Sequence, residues 1–206
     1  PNIISRNGNG IIVSDTGTSN NEVLGNYIGT NSGSDDIGNT GPGVTLQSGA
    51  SSNTIGTSDA RNTISANSIG ILLRNASTTG NRILSNNIGT ADLGNETYGI
   101  HAASSTLTII GSATNSNIIV SNASGGILFE KSDVNFVVNN YIGVDENLDA
   151  STNPQDFGIS FVSGSSDNVV GCSASASGDC ANVIAENDGP GVKVSDGCSH
   201  NRISRN

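Results

Sequence analysis

One cycle of three short phrases repeats along this chain, and it constrains the fold more than any other feature. The first phrase is Asn-x-Ile: Asn2-Ile3-Ile4, Asn26-Tyr27-Ile28, Asn62-Thr63-Ile64, Asn86-Asn87-Ile88, Asn117-Ile118-Ile119, Asn140-Tyr141-Ile142 and Asn182-Val183-Ile184. The second is Gly followed by a β-branched residue, at Gly10-Ile11, Gly43-Val44, Gly70-Ile71, Gly99-Ile100, Gly126-Ile127, Gly158-Ile159 and Gly191-Val192. The third is again Asn-x-(Val/Ile): Asn21-Glu22-Val23, Asn53-Thr54-Ile55, Asn81-Arg82-Ile83, Asn135-Phe136-Val137, Asn168-Val169-Val170 and Asn201-Arg202-Ile203. At its remaining slot Leu107-Thr108-Ile109 stands in, with Leu in place of Asn.

Seven such cycles of three β-type segments, separated by Gly, Asn and Ser turns, show no sustained helical period. Strands this short are stable only when stacked in register. The reading is therefore all-β: a single parallel β-helix (solenoid) domain over 1–206, with about seven coils and three short parallel sheets. At about 4.8 Å per coil the rod would be ~34 Å long. The Ile and Val that close each phrase make three inward files of seven, 21 residues in all, with Ile109 taking the place in the irregular cycle. Each contributes about 1.5–3 kcal/mol on burial. The repeated Asn at the phrase starts suits tight turns, because Asn tolerates left-handed backbone angles. Stacked, the same side chains form ladders between coils.

Composition agrees with this reading. Asn, Ser and Gly make up about 42% of the chain, and there is no Trp or Met. That would suggest disorder were the apolar residues not evenly spaced. A net charge of −10 argues against nucleic acid or an anionic membrane surface as partner. No apolar run approaches a membrane span, so membrane insertion is not expected. Cys172, Cys180 and Cys198 lack zinc-type spacing; a local Cys172–Cys180 bridge would leave Cys198 over.

The leading Asn positions, 2, 26, 62, 86, 117, 140, 182 and finally 206, are separated by alternately short and long steps. The unit is thus a double coil of about 54–65 residues, with extra length before the Gly phrase and after the third phrase of coils two, four and six. Outward residues of the Gly-phrase strand alternate too: Ile12, Leu72 and Leu128 against Thr45, His101 and Ser160. The long loops are expected to fold over that face and cover its apolar members.

The phrases Gly25-Asn26-Tyr27-Ile28-Gly29-Thr30, Asn86-Asn87-Ile88-Gly89-Thr90, Asn140-Tyr141-Ile142-Gly143 and Gly38-Asn39-Thr40-Gly41-Pro42-Gly43-Val44 resemble the parallel β-helix repeats of large secreted or surface-exposed bacterial proteins. That fold is similar to pectate lyase. The resemblance spans essentially the whole chain and implies a right-handed helix, which crossover chirality also favours. It further implies a secreted or cell-surface place and an adhesin-like or carbohydrate-associated role. Related β-helices include lyases, galacturonases and epimerases. Of the galacturonase motifs only Asp35-Asp36 appears, and no basic residue recurs beside an acidic cluster. His101 reads as a lone outward strand residue, and His200 lies in a turn. No catalytic residue is assigned.

The acidic residues of the long loops are the candidate site: Asp35, Asp36, Asp92, Glu96, Asp145, Glu146, Asp149 and Asp156. They would line one side of the rod as a sugar-binding or calcium-binding strip, or simply keep it soluble. Calcium is the one cofactor considered, and no metal site is assigned. Tyr27 and Tyr141 take the same outward slot on coils two and six, with Asn87 between them on coil four. The outward files show no regular Thr rank of the ice-binding kind. The chain begins Pro-Asn-Ile in mid-pattern without Met, which reads as a segment of a longer repeat protein. Its uncapped ends suggest head-to-tail self-association. The favoured function is a non-enzymatic structural or adhesion rod, binding polysaccharide or a surface protein along one face. The alternatives are a carbohydrate-active enzyme with a divergent site, and a self-assembling fibre scaffold.

Overall fold

A computed structural model describes residues 1–32, 34–172 and 180–206. Each phrase of the repeat becomes a strand, and like phrases pair with like in parallel register. The first sheet runs Ile3–Ile4, Tyr27–Ile28, Thr63–Ile64, Asn87–Ile88, Ile118–Ile119, Tyr141–Ile142 and Val183–Ile184. The second runs Ile11–Ser14, Val44–Gln47, Ile71–Arg74, Tyr98–Ala103, Gly125–Glu130, Ile159–Val162 and Val192–Val194. The third runs Glu22–Val23, Thr54–Ile55, Arg82–Ile83, Ile109–Ile110, Phe136–Val137, Val169–Gly171 and Arg202–Ser204. No helix interrupts them among the described residues. The molecule is a parallel β-solenoid, as the repeat requires.

Two-residue strands hold because both what lies inside and what lies at the corners is stacked. Ile28, Ile64, Ile88, Ile119 and Ile142 are fully buried, as are Val44, Ile71, Ile100, Ile127 and Ile159. The irregular cycle is shifted by one residue from the sequence reading. Ile109 pairs with the outward Arg82, and Ile110 pairs with the inward Ile83 and is buried. Thr108, not Leu107, therefore holds the Asn position, and Ile110 replaces Ile109 in the core. The pleat explains why: one step of slip turns every side chain to the other face.

A fourth inward file lies two residues past the second phrase: Val13, Leu46, Leu73, Ala102, Phe129 and Phe161. Phe129 and Phe161 stack with ring centroids 5.0 Å apart and planes 8° from parallel. The core is thus wider than three files of β-branched residues, and small Ala102 sits in register beside the large Phe129.

The corners rest on amide ladders. From Asn2 through Asn26, Asn62, Asn86, Asn117, Asn140 and Asn182 to Asn206, each Nδ2 donates to the Oδ1 of the next coil at 2.8–3.3 Å. Asn117 shows how fully such an amide is used. Its Oδ1 accepts from the backbone N–H and Nδ2 of Asn86, and its Nδ2 donates to Ile83 O and Asn140 Oδ1. That is two acceptor and two donor bonds, the capacity of the group. The third-phrase ladder joins Asn21, Asn53 and Asn81, then Asn135, Asn168 and Asn201. Between its halves Thr108 has a buried Oγ1 without a partner. A third ladder escaped the sequence reading: Asn7, Asn39, Asn67, Asn95, Asn122, Gln155 and Asn187. Its signal is an amide three or four residues before each Gly phrase.

The ladder residues themselves do not take the left-handed turn angles expected of the repeated Asn. In the third-phrase ladder positive φ falls on the residue before the ladder position, not on the ladder residue itself: Asn20, Ser52, Leu107, Val134, Asp167 and His200 lie at φ 54–58°, and Gly80 at 64°. The left-handed residue makes the corner and aims the following amide inward. Gly126 shows why the second phrase needs glycine. A Cβ there would lie 2.6 Å from both Gly158 O and Gln155 Nε2, so a side chain would push the coils apart.

Candidate functional site

The long loops of the even coils reach each other across the short odd coils. At the corner after the third sheet, Thr57–Ala60 and Ser112–Asn115 each close by an antiparallel bridge. Ser58 N–H of coil two donates to Asn115 Oδ1 of coil four, passing over coil three. On coil six the equivalent pair is Cys172 and Cys180, joined by a disulfide. Cys198 is free. It takes the inward corner position held one coil earlier by Ser165, as the adjacent Ser166–Ser199 bridge shows, and packs against the core.

At the corner between the first and second sheets, the coil-six loop is strapped to coil four. Thr152 N–H and Oγ1 reach Ala91 O at 3.2 and 2.9 Å, and Asn153 Nδ2 reaches Asp92 O at 3.4 Å. Ser121 of the intervening short coil donates to the same Ala91 carbonyl. The double-coil period is therefore a packing unit, not only a sequence rhythm. On the outer face of the second sheet Ile12 is 52% exposed, Leu72 half-buried and Leu128 buried, so the expected cover is absent on coil one.

Clefts open on either side of the strap. One, of about 520 Å³, is lined by Asp36, Asp92 and Glu96 with Ser121, Asn153 and Pro154. The other, of about 240 Å³, is lined by Asn87, Ile118, Val120 and Ala150 together with Asp145 and Asp149. The remaining acidic candidates are placed otherwise. Asp35 accepts from Asn31 Nδ2 at 2.8 Å, Glu146 lies 3.6 Å from Arg61, and Asp156 is exposed without lining either cleft. No three of the His, Cys, Asp and Glu groups among the described residues are arranged to hold a metal ion.

The smaller pocket has a fixed charge in its lining. The N–H groups of Asn147 and Asp149 both donate to Asp145 Oδ1, at 2.8 and 2.9 Å. The Asp149 bond above all, aided by Asn147, holds this carboxyl below its ordinary range. Arg61 Nη1 donates to Asn87 Oδ1 at 3.1 Å and so fixes the amide in the pocket wall.

His101 is not alone on its strand. Its Nε2 lies 3.2 Å from Glu130 Oε2 on the next coil, and Tyr98 meets the imidazole edge-on at 5.4 Å. Phe157 lies against Tyr98 at 6.1 Å. Burial lowers the His101 pKa from its ordinary value, while the Glu130 hydrogen bond and charge act the other way. The pairing was invisible in sequence because its partners are 29 residues apart. Tyr27 and Tyr141 are half-buried, and Phe136 is exposed on the third sheet.

Comparison with protein-family models, with curated proteins and with solved structures found no match to this chain.

Proposed function

We propose that this chain is a stiff, non-enzymatic rod segment of a secreted or cell-surface protein, of the right-handed pectate-lyase-like kind, which holds a polysaccharide along the loop face of its even coils. The observation that carries the reading is the set of ladders, two of which run unbroken along all the coils. A chain whose commonest buried polar residue is committed to stacking coils is built for rigidity along one axis. The clefts beside the strap give such a rod a concave surface for a ligand. The Cys172–Cys180 bridge supports an oxidising compartment.

The test is retention of neutral, amino-bearing and uronic polysaccharides, and of basic and acidic proteins, on immobilised chain. New reducing or unsaturated ends are assayed in parallel. Retention without depolymerisation is the expected result. The competing, carbohydrate-active reading is favoured by one observation, the His101–Glu130 pair beside Tyr98. Depolymerisation that disappears in His101→Ala would establish it in place of the rod.

A further inference from the structure

The first sheet places Asn87 in line with Tyr27, through Thr63, and with Tyr141, through Ile118. The even coils on either side thus carry a six-membered ring at this outward position, whereas coil four carries a short amide. The 240 Å³ pocket opens beside that amide. We propose that it holds one pyranose unit of a polysaccharide, a unit that bears a free amino group. This rests on the reading above that the rod binds polysaccharide along its loop face.

Three features point to that occupant. Ile118 and Val120 offer an apolar wall for the C–H face of a saturated ring. Asn87, held by Arg61, presents a positioned amide for ring hydroxyls, with no ordering left to lose on binding. Arg61 is itself offset by Glu146, 3.6 Å away, so Asp145 and Asp149 in the lining decide the charge. Asp145 is held ionised by two backbone N–H groups, so the lining attracts an ammonium and repels a uronic carboxylate.

The experiment is a titration of the whole chain, carrying ¹³C-labelled Ile and Val methyls, with methyl glycosides of glucosamine, glucose and glucuronic acid. The Ile118 methyl signals are expected to move saturably with the glucosaminide, while those of core Ile28 stay put. The glucoside should bind about tenfold more weakly, the glucuronide not measurably, and added salt should weaken only the binding of the glucosaminide. Asn87→Tyr should fill the pocket and abolish the shift; Asp149→Asn should bring the glucosaminide down to the glucoside. If Asn87→Tyr loses its circular dichroism signature, Asp149→Asn carries the test. Unmoved Ile118 signals, equal affinity for the three sugars, or unchanged affinity in Asp149→Asn would overturn the proposal. So would tighter binding of acetyl-lysine methylamide, which would mark a peptide site. Polysaccharide retained on the rod with Ile118 unmoved would sink the pocket and leave the rod reading standing. A saturable Ile118 shift without retention would do the reverse.

Discussion

At the scale of single residues, the ladders set what each position tolerates. Asn117 is fully buried and makes four hydrogen bonds through its side chain. Asn117→Ala would strand partners on both neighbouring coils and should destabilise by about 2–4 kcal/mol. The urea midpoint measures this, and a loss below half a unit on that scale would show that the rungs act independently of stability. Thr108 is the opposite case. It interrupts a ladder whose members above and below are Asn81 and Asn135, and its hydroxyl is buried without a partner. Thr108→Asn should raise stability by about 1 kcal/mol by completing the column. A lower melting temperature would mean that the column has no room there for the longer amide. An Asn-x-Ile template finds Leu107-Thr108-Ile109, whereas the sheet register selects the phrase one residue later.

At the scale of the element, each loop and strand pair has its own small stability. The Cys172–Cys180 bridge spans eight residues and does the work of the backbone bridges in coils two and four. Removing it as Cys172→Ser with Cys180→Ser should lower stability by at most about 2.5 kcal/mol, the chain-entropy value for so short a loop. Denaturation with and without reductant measures it, and global unfolding on reduction would contradict a local role. The His101–Glu130 pair makes a pH-dependent contribution. Burial puts the folded-state pKa of His101 below the unfolded value of 6.5. The unfolded chain therefore takes up a proton first as pH falls. The contribution is present above pH 6.5 and is lost as pH drops through the lower, folded value. His101→Gln should flatten the stability curve in that window. An unchanged slope would assign the pH dependence to other groups.

At the scale of the whole molecule, the chain behaves as a stack in which each coil contacts its neighbours and the even loops add second-neighbour ties. Damage in the middle should therefore cost more than the same damage near an end. Ile12, Val194 and Ile203 are 44–52% exposed on the terminal coils, beside unpaired strand edges. The isolated chain should associate through these edges at high concentration, which sedimentation velocity would show as a concentration-dependent series. A monomer at all concentrations would mean that the edges do not pair.

The sequence by itself determined the solenoid. A three-phrase cycle with β-branched residues at fixed places leaves only stacked parallel strands as a way to bury them, and the alternating step lengths already disclose the double coil. The positions of two ladders could be read from the same phrases. Other features were settled only in three dimensions. The Phe129–Phe161 stack, the third ladder through Gln155, the His101–Glu130 pair and the pocket beside Asn87 each join residues from different coils. The loop lengths that bring them together vary from coil to coil. Contacts of that kind depend on register and on which loop crosses which coil, and a one-dimensional repeat carries neither.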